Sequence, residues 1–430
     1  MVLNSMSYAT YDSYKDSGVG WLGEIPSDWQ LGRISAFFSE RRQKVSDKDY
    51  PALSVTKLGV FPQWENVAKS NDSDNRKLVK KGDFVINSRS DRKGSSGIAK
   101  QDGSVSLINI VLKPVDIEPR YSEYLFKSYN FIEEFYRVGH GIVADLWTTR
   151  FDDIKNSMIA LPTFDEQTKI ANFLDQKTAQ IDQAIALKQQ QIEKLGEYKQ
   201  IVIQNAVTKG LNPNAPMKGS GVEWIGDIPE HWEMVSIKRI ARISPKVDLS
   251  NYKIDEKVTF LPMEKVSSNG DIDCEILKPI REVKQGFTAF KKNDVILAKI
   301  TPCFENGKGA LLDKLETEIG YGSTEFHVLR ASKRIKAYYL YLITHSSKFL
   351  TLGEAMMTGS AGQKRVPTDF VANYQFPLPL MSEQQQIIEY VENLNRKISD
   401  TIQSYQTQID RLKEYKNILI NQAVTGKIKI

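Results

Sequence analysis

Thirteen residues are spelled almost twice in this chain, as SGVGWLGEIPSDW at 17–29 and as SGVEWIGDIPEHW at 220–232, which lie 203 positions apart. Leu22 becomes Ile225 and Glu24 becomes Asp227, exchanges that keep the chemistry. Two further echoes share one ungapped offset of 217: LPTFDEQTKI from Leu161 with LPLMSEQQQI from Leu378, and IEKLGEYKQIVIQNAVT from Ile192 with IDRLKEYKNILINQAVT from Ile409. A fixed internal period constrains the fold more than any local pattern, because each repeat has to be one structural unit. The chain is therefore two homologous halves. Growth of the offset from 203 to 217 puts about 14 additional residues in the variable stretch of the second half.

A length of 430 residues suits two or three domains with ample chain for their cores. No apolar run approaches the ~20 residues that cross a bilayer, and the start MVLNSMSYATYDSYKDSG lacks the basic and apolar regions of a secretion signal, so a cytoplasmic protein is expected. Only Cys274 and Cys303 occur, which argues against a disulfide framework or a cysteine-built zinc site; the four histidines, at 140, 231, 327 and 345, show no ligand spacing. No metal site is expected. Residues 30–160 carry a net +4 and residues 233–377 a net +5, against −4 for the remainder. Excess positive charge thus sits in the two stretches that do not repeat, as expected of surfaces that face polyphosphate; a solvated charged surface is the alternative.

The conserved-looking echoes read as long helices. Asp165 and Ser382 are the expected N-caps, the latter with Gln385 in capping-box position. Apolar residues then recur in steps of four and three: Ile181, Ile185, Ile192, Leu195 and Val202 in one helix, with Lys188 interrupting, and Ile398, Ile402, Tyr405, Ile409, Leu412 and Leu419 in the other. That is a heptad seam. A helix from cap to Thr208 or Thr425 would be a rod of about 64 Å, unable to bury its stripe alone. The other helix, lying antiparallel, is the economical partner, and an intermolecular coiled coil is the alternative. GLNPNAPMKGSG, from Gly210, reads as a linker. The four tryptophans Trp21, Trp29, Trp224 and Trp232 read as structural anchors where the chain enters each domain.

Between anchor and helix, short β-rich runs such as GDFVINS and NDVILAKI precede helical patterns at 121–137 and 335–353, so each variable segment reads as a mixed domain. The expected fold class is α+β: two mixed α/β globular domains separated by two long helices in an antiparallel coiled coil, with an internal pseudo-twofold repeat. The boundaries are 1–160 for the first domain, 161–210 for the central helix, 211–219 for the linker, 220–377 for the second domain and 378–430 for the C-terminal helix.

Catalytic patterns do not emerge. The chain has neither GxxxxGK[ST] nor a GxGxxG after a strand, nor the Asn/Asp-Pro-Pro-aromatic tetrapeptide of adenine methyltransferases. Glu-x-Lys occurs at Glu197 and Glu414, but on the long helices, as surface charge. Recognition is left. Three pairs of glycine-rich or basic loops occupy corresponding places in the halves: Lys57 with Lys265; Arg89, Arg92 and Lys93 with Lys299 and Lys308; His140 and Arg150 with Gln363, Lys364 and Arg365. Glycine lets backbone approach a phosphate, and arginine grips guanine through two hydrogen bonds.

Two dissimilar basic domains alternating with two similar long helices, opened by the SGVxWxGxIP phrase and closed by LPxxxEQ, resemble over the whole chain the specificity subunits of type I restriction-modification enzymes. The resemblance implies two target-recognition domains, each reading half of a split double-stranded DNA site, with the helices as ruler and as docking surface for two methyltransferase subunits and for restriction subunits. It implies no catalysis and no cofactor in this chain: S-adenosylmethionine, ATP and Mg would belong to the partner subunits. A specificity subunit of a modification-only system, and a coiled-coil scaffold that binds protein instead of DNA, remain the alternatives. No membrane contact is expected.

Overall fold

The central helix, Phe164–Lys209, and the C-terminal helix, Met381–Val424, run for 46 and 44 residues without a break. They belong to a computed structural model that describes residues 8–63, 74–141, 147–360 and 362–430. The chain divides into two units, one of residues 1–189 and 406–430 and the other of residues 190–405. Each long helix thus gives part of its length to each unit.

Both helices start before the expected caps. Thr163 Oγ1 accepts the Glu166 N–H (3.4 Å), and the Leu380 N–H donates to the Glu383 carboxylate (3.3 Å), so Asp165 and Ser382 lie inside the first turn. The cause is a buried glutamine in each copy. Gln167 and Gln384 donate from Nε2 to the Pro162 and Pro379 carbonyls (both 3.0 Å), which fixes the first turn against the preceding strand. At the other end, Met217–Gly219 of the expected linker forms a strand against Asp227–Pro229.

In the first unit the helices run antiparallel, since Lys188 donates to Gln408 (2.6 Å) while Asp182, a turn and a half earlier, meets Lys416 (2.7 Å). Ile181 and Leu419 are buried in its core with Ile185 and Leu412 packed on them, and Lys188 keeps its cation at the seam by hydrogen bonding across it. In the second unit Ile203, Ala206 and Val207 join Ile387, Ile388 and Val391 in one core. Val202, expected at the seam, is only half buried, and its neighbour Ile203 takes the buried place.

Each unit carries a four-stranded antiparallel sheet of the same order. In the first it runs Ser96–Ile98, Phe84–Asn87, Asn109–Pro114, Phe38–Glu40; in the second, Gly309–Leu311, Val295–Ala298, Phe326–Ala331, Ala241–Ile243. The turn entering the second strand holds a buried aspartate, Asp83 or Asp294, whose carboxylate accepts the N–H of Lys80 (2.8 Å) or Lys291 (2.7 Å). Its counter-ion comes from different places in the two units, one residue past the strand Phe38–Glu40 in the first and within Phe326–Ala331 in the second. Arg41 grips Asp83 at 2.7 and 3.1 Å, and Arg330 grips Asp294 at 2.7 Å through both nitrogens. The remaining strands diverge: the second unit builds a second four-stranded sheet that includes a parallel pair, Lys257–Leu261 with Ile319–Gly322, where the first has a three-stranded sheet and a hairpin.

The repeated tryptophan phrase clasps the end of a long helix in each unit. Trp29 and Trp232 are buried, 1% exposed each, beside Gly426 and Gly210, which stand at φ 71° and 73° just past the two helices. A Cβ on Gly210 would fall 3.1 Å from the Trp232 ring, and one on Gly426 2.4 Å from Pro26, so glycine serves both the left-handed cap and the close approach. Tyr121 Oη donates to the Val424 carbonyl (3.3 Å), and Tyr339 Oη to that of Val207 (3.2 Å). Gln167 and Gln384 complete the clasp, accepting the N–H of Glu118 (2.9 Å) and Lys336 (2.8 Å) where a short domain helix starts, at Pro119 and Ala337.

Trp232→Ala is expected to destabilise the protein by about 3–5 kcal/mol through loss of burial and the cavity left behind. Gln384→Ala, which orphans buried donors and acceptors, is expected to cost about 1–3 kcal/mol. Urea denaturation followed by circular dichroism checks both.

Candidate nucleic-acid interface

Two loops meet at the end of the four-stranded sheet in each unit, through the same backbone frame. In the first unit the Thr149 N–H donates to the Ser88 carbonyl and the Ser90 N–H to that of Trp147 (both 3.0 Å), while His140 and Thr148 exchange two bonds of 2.9 Å. In the second, the Val366 N–H donates to Lys299 (2.8 Å) and the Thr301 N–H to Lys364 (3.0 Å), while Arg365 and Thr358 exchange bonds of 2.8 and 3.0 Å. Residues 142–146 and 361 of these loops lie outside the described residues. Because main chain makes the frame, its side chains are free to differ: Ser88, Arg89 and Ser90 in one unit stand where Lys299, Ile300 and Thr301 stand in the other.

The domain core holds the frame from behind. Thr149 is buried and its hydroxyl donates to the Phe135 carbonyl (2.9 Å), and Trp147 Nε1 donates to that of Tyr136 (2.9 Å). Both acceptors lie in the helix Tyr129–Arg137, started by Ser128, whose hydroxyl accepts the Phe131 N–H (3.4 Å). In the second unit the buried ring of His327 donates from Nε2 to the Val366 carbonyl (3.2 Å).

Within this frame the first unit gathers Arg89, Arg92, His140 and Arg150, all exposed. Arg92 has Asp91 at 3.7 Å, and His140 has Asp153 at 3.4 Å. Lys93 turns aside to Glu133 (2.7 Å). Lys57 is exposed at the tip of a hairpin, Leu53–Thr56 with Gly59–Pro62. In the second unit Lys299, Gln363, Lys364 and Arg365 come together, with Gln363 and Lys364 exposed and Lys299 half buried. Arg365 grips Glu325 with two bonds of 2.9 and 2.8 Å, an ion pair that holds the Glu325 carboxyl below its usual range. Lys265 pairs with Asp273, and Lys308 donates to the Met263 carbonyl (3.3 Å), joining the loop of Lys299 to that of Lys265.

Three cations that the loop patterns had not singled out line a cleft of about 520 Å³ in the first unit: Arg42, Lys44 and Lys77, with Ser88, Arg150 and the carboxylates of Glu40 and Asp152. The trace of Arg42 and Lys44 in the sequence is the run RRQK from Arg41, which counts only as net charge until the sheet brings it beside Lys77 and Arg150.

Burial lowers the His327 pKa below the usual histidine value, helped by the nearby Lys299 cation, and pushes His345 of the same unit down to about 4. Each ring is thus neutral in the fold where an unfolded chain would take a proton. Stability is full above about pH 6.5 and falls as pH drops below it, by up to about 1.4 kcal/mol per pH unit per histidine. Thermal melting between pH 7.5 and 5 is expected to show this fall, and His345→Gln to flatten it.

A family model described as the type I restriction modification DNA specificity domain matches residues 26–196 and 229–411. The specificity subunits of the type I restriction enzymes EcoAI and EcoEI of Escherichia coli are 44% identical over 164 residues and 43% over 165, and the chain spans only 28% and 27% of their lengths. The MjaVIII specificity subunit of Methanocaldococcus jannaschii is 24% identical over 428 residues, covering 94% of each chain. Among solved structures, a chain of a type I R-M system studied for complex assembly and conformational transition superposes with a TM-score of 0.67 at 12% identity, covering 93% of this chain and 98% of that one. The HsdS subunit from Thermoanaerobacter tengcongensis does so with a TM-score of 0.53 at 14% identity, over 94% and 98%.

Proposed function

Since the chain belongs to the type I restriction modification DNA specificity family, we propose that it reads an asymmetric, bipartite DNA sequence and brings methyltransferase and restriction subunits to it, catalysing no step itself. The observation that carries this reading is one backbone frame, present in both units, that displays different polar and cationic side chains in each. Identical frames favour equivalent docking on two stretches of duplex, and different side chains favour different bases at each. Arginine and lysine supply phosphate contacts and bidentate reading of guanine, while glutamine such as Gln363 suits adenine. S-adenosylmethionine, ATP and magnesium would be held by the partner subunits.

The two long helices suit a ruler between half-sites, because a continuous helix has a fixed rise per residue. Co-expression with the cognate methyltransferase subunits in a host without adenine methylation, followed by genome-wide mapping of methylated adenines, tests the reading. A split motif with unlike halves, methylated on both strands, is expected. A stable complex that leaves the genome unmodified would instead favour a protein scaffold. Binding to the mapped site is expected to weaken steeply as salt rises, through counterion release. Deleting one heptad from each long helix removes about 10 Å of rise and is expected to shorten the spacer by about three base pairs; an unchanged spacer would refute the ruler.

A further inference from the structure

At the tip of the hairpin Leu53–Thr56 with Gly59–Pro62, Leu58 is 84% exposed. A single exposed leucine is ordinary. Three features set this one apart. First, its turn is tied down: Thr56 Oγ1 accepts the Leu58 N–H (3.2 Å) and donates to the Gly59 carbonyl (3.1 Å), so the side chain stands on an ordered backbone.

Second, the hairpin points at the recognition loops. Its base meets Gly103, where a Cβ would fall 2.6 Å from Leu53, beyond the far end of the strand Ser96–Ile98. Nearer the tip, Gly59 lies over Gly97, where a Cβ would fall 2.9 Å from the Gly59 Cα. Gly97 is two residues from Ser95, whose N–H donates to the Arg92 carbonyl (2.9 Å), so the tip lies over the strand that leads out of the loop of Arg89 and Arg92. Lys57, exposed, stands beside Leu58 at the tip.

Third, the turn after Lys265 in the second unit is built differently: Val266, 1% exposed, bridges Ile272 at its base, Lys265 is paired with Asp273, and its tip, Ser268 to Gly270, carries no apolar side chain.

We propose that Leu58 is an apolar wedge that presses into a base step of the half-site read by the first unit, with Lys57 on the adjoining phosphate; this rests on the DNA-reading function above. Proteins that unstack a base step use apolar side chains of this kind, flanked by cations. The half-site of the second unit stays undistorted.

The test uses the complex assembled with its methyltransferase subunits and duplexes carrying the mapped site, with 2-aminopurine replacing each adenine in turn. Binding is expected to raise fluorescence several-fold at one step of one half-site only. Leu58→Ala is expected to abolish that rise and to bind about tenfold more weakly with an unchanged salt slope, whereas Lys57→Ala lowers the slope by about one. The Leu58→Ala chain is expected to melt as the wild type does and to retain its partner subunits. No fluorescence rise in either half-site, or a rise that survives Leu58→Ala, would overturn the wedge while leaving DNA reading intact. Loss of the methyltransferase subunits from Leu58→Ala would make the tip a protein-docking site and equally overturn it. Failure of the DNA reading itself is distinct, since it would appear earlier as absence of a methylated split motif.

Discussion

A long helix with one apolar stripe is stable only where something covers that stripe, and a recognition domain is useful only where something holds its orientation. One contact meets both needs in each unit. The buried tryptophan, the tyrosine hydroxyl on a carbonyl of the last helical turn and the left-handed glycine beyond it join the end of one long helix to a domain, and a buried glutamine joins the start of the other helix to the same domain. Aromatic burial supplies most of the stabilisation, and the hydrogen bonds supply direction. Each glutamine is bonded through both ends of its amide, so rotating the domain helix against the long helix would orphan buried polar groups. The repeated phrases are therefore the parts of the chain with least freedom to vary.

Variation is instead collected where main chain does the holding. The loop frames are built from N–H and C=O groups that every residue but proline carries, so side chains there can change without loss of the frame. The buried aspartates illustrate the same economy in the sheet. Asp83 and Asp294 occupy one place and bond to the same backbone turn, but the arginine that neutralises them arrives from different parts of the sheet's chain. A buried carboxylate demands a counter-charge, and it does not specify the chain position from which that charge comes.

Much of the architecture was legible because periodic burial writes itself into sequence. The heptad positions Ile181, Ile398, Ile409 and Leu419 are buried, and the anchors Trp29 and Trp232 are among the most enclosed side chains. Helix starts were misread because Asp165 and Ser382 are good caps in isolation, whereas tertiary bonds of Gln167 and Gln384 move the first turn earlier. Among the recognition candidates, residue type alone could not separate Arg89, exposed, from Arg365, tied to Glu325, or from Lys93, tied to Glu133.

By itself, then, the sequence determined the repeat, the pairing of one domain with one helix in each half, and the confinement of positive charge to the parts that differ, since all three are properties of order and composition along the chain. Only the tertiary structure decided which loops meet. Ser88 and Thr149 are 61 positions apart and Lys299 and Val366 are 67, yet each pair shares a hydrogen bond. Contacts of that range depend on how whole sheets pack, and local patterns of residues do not encode them.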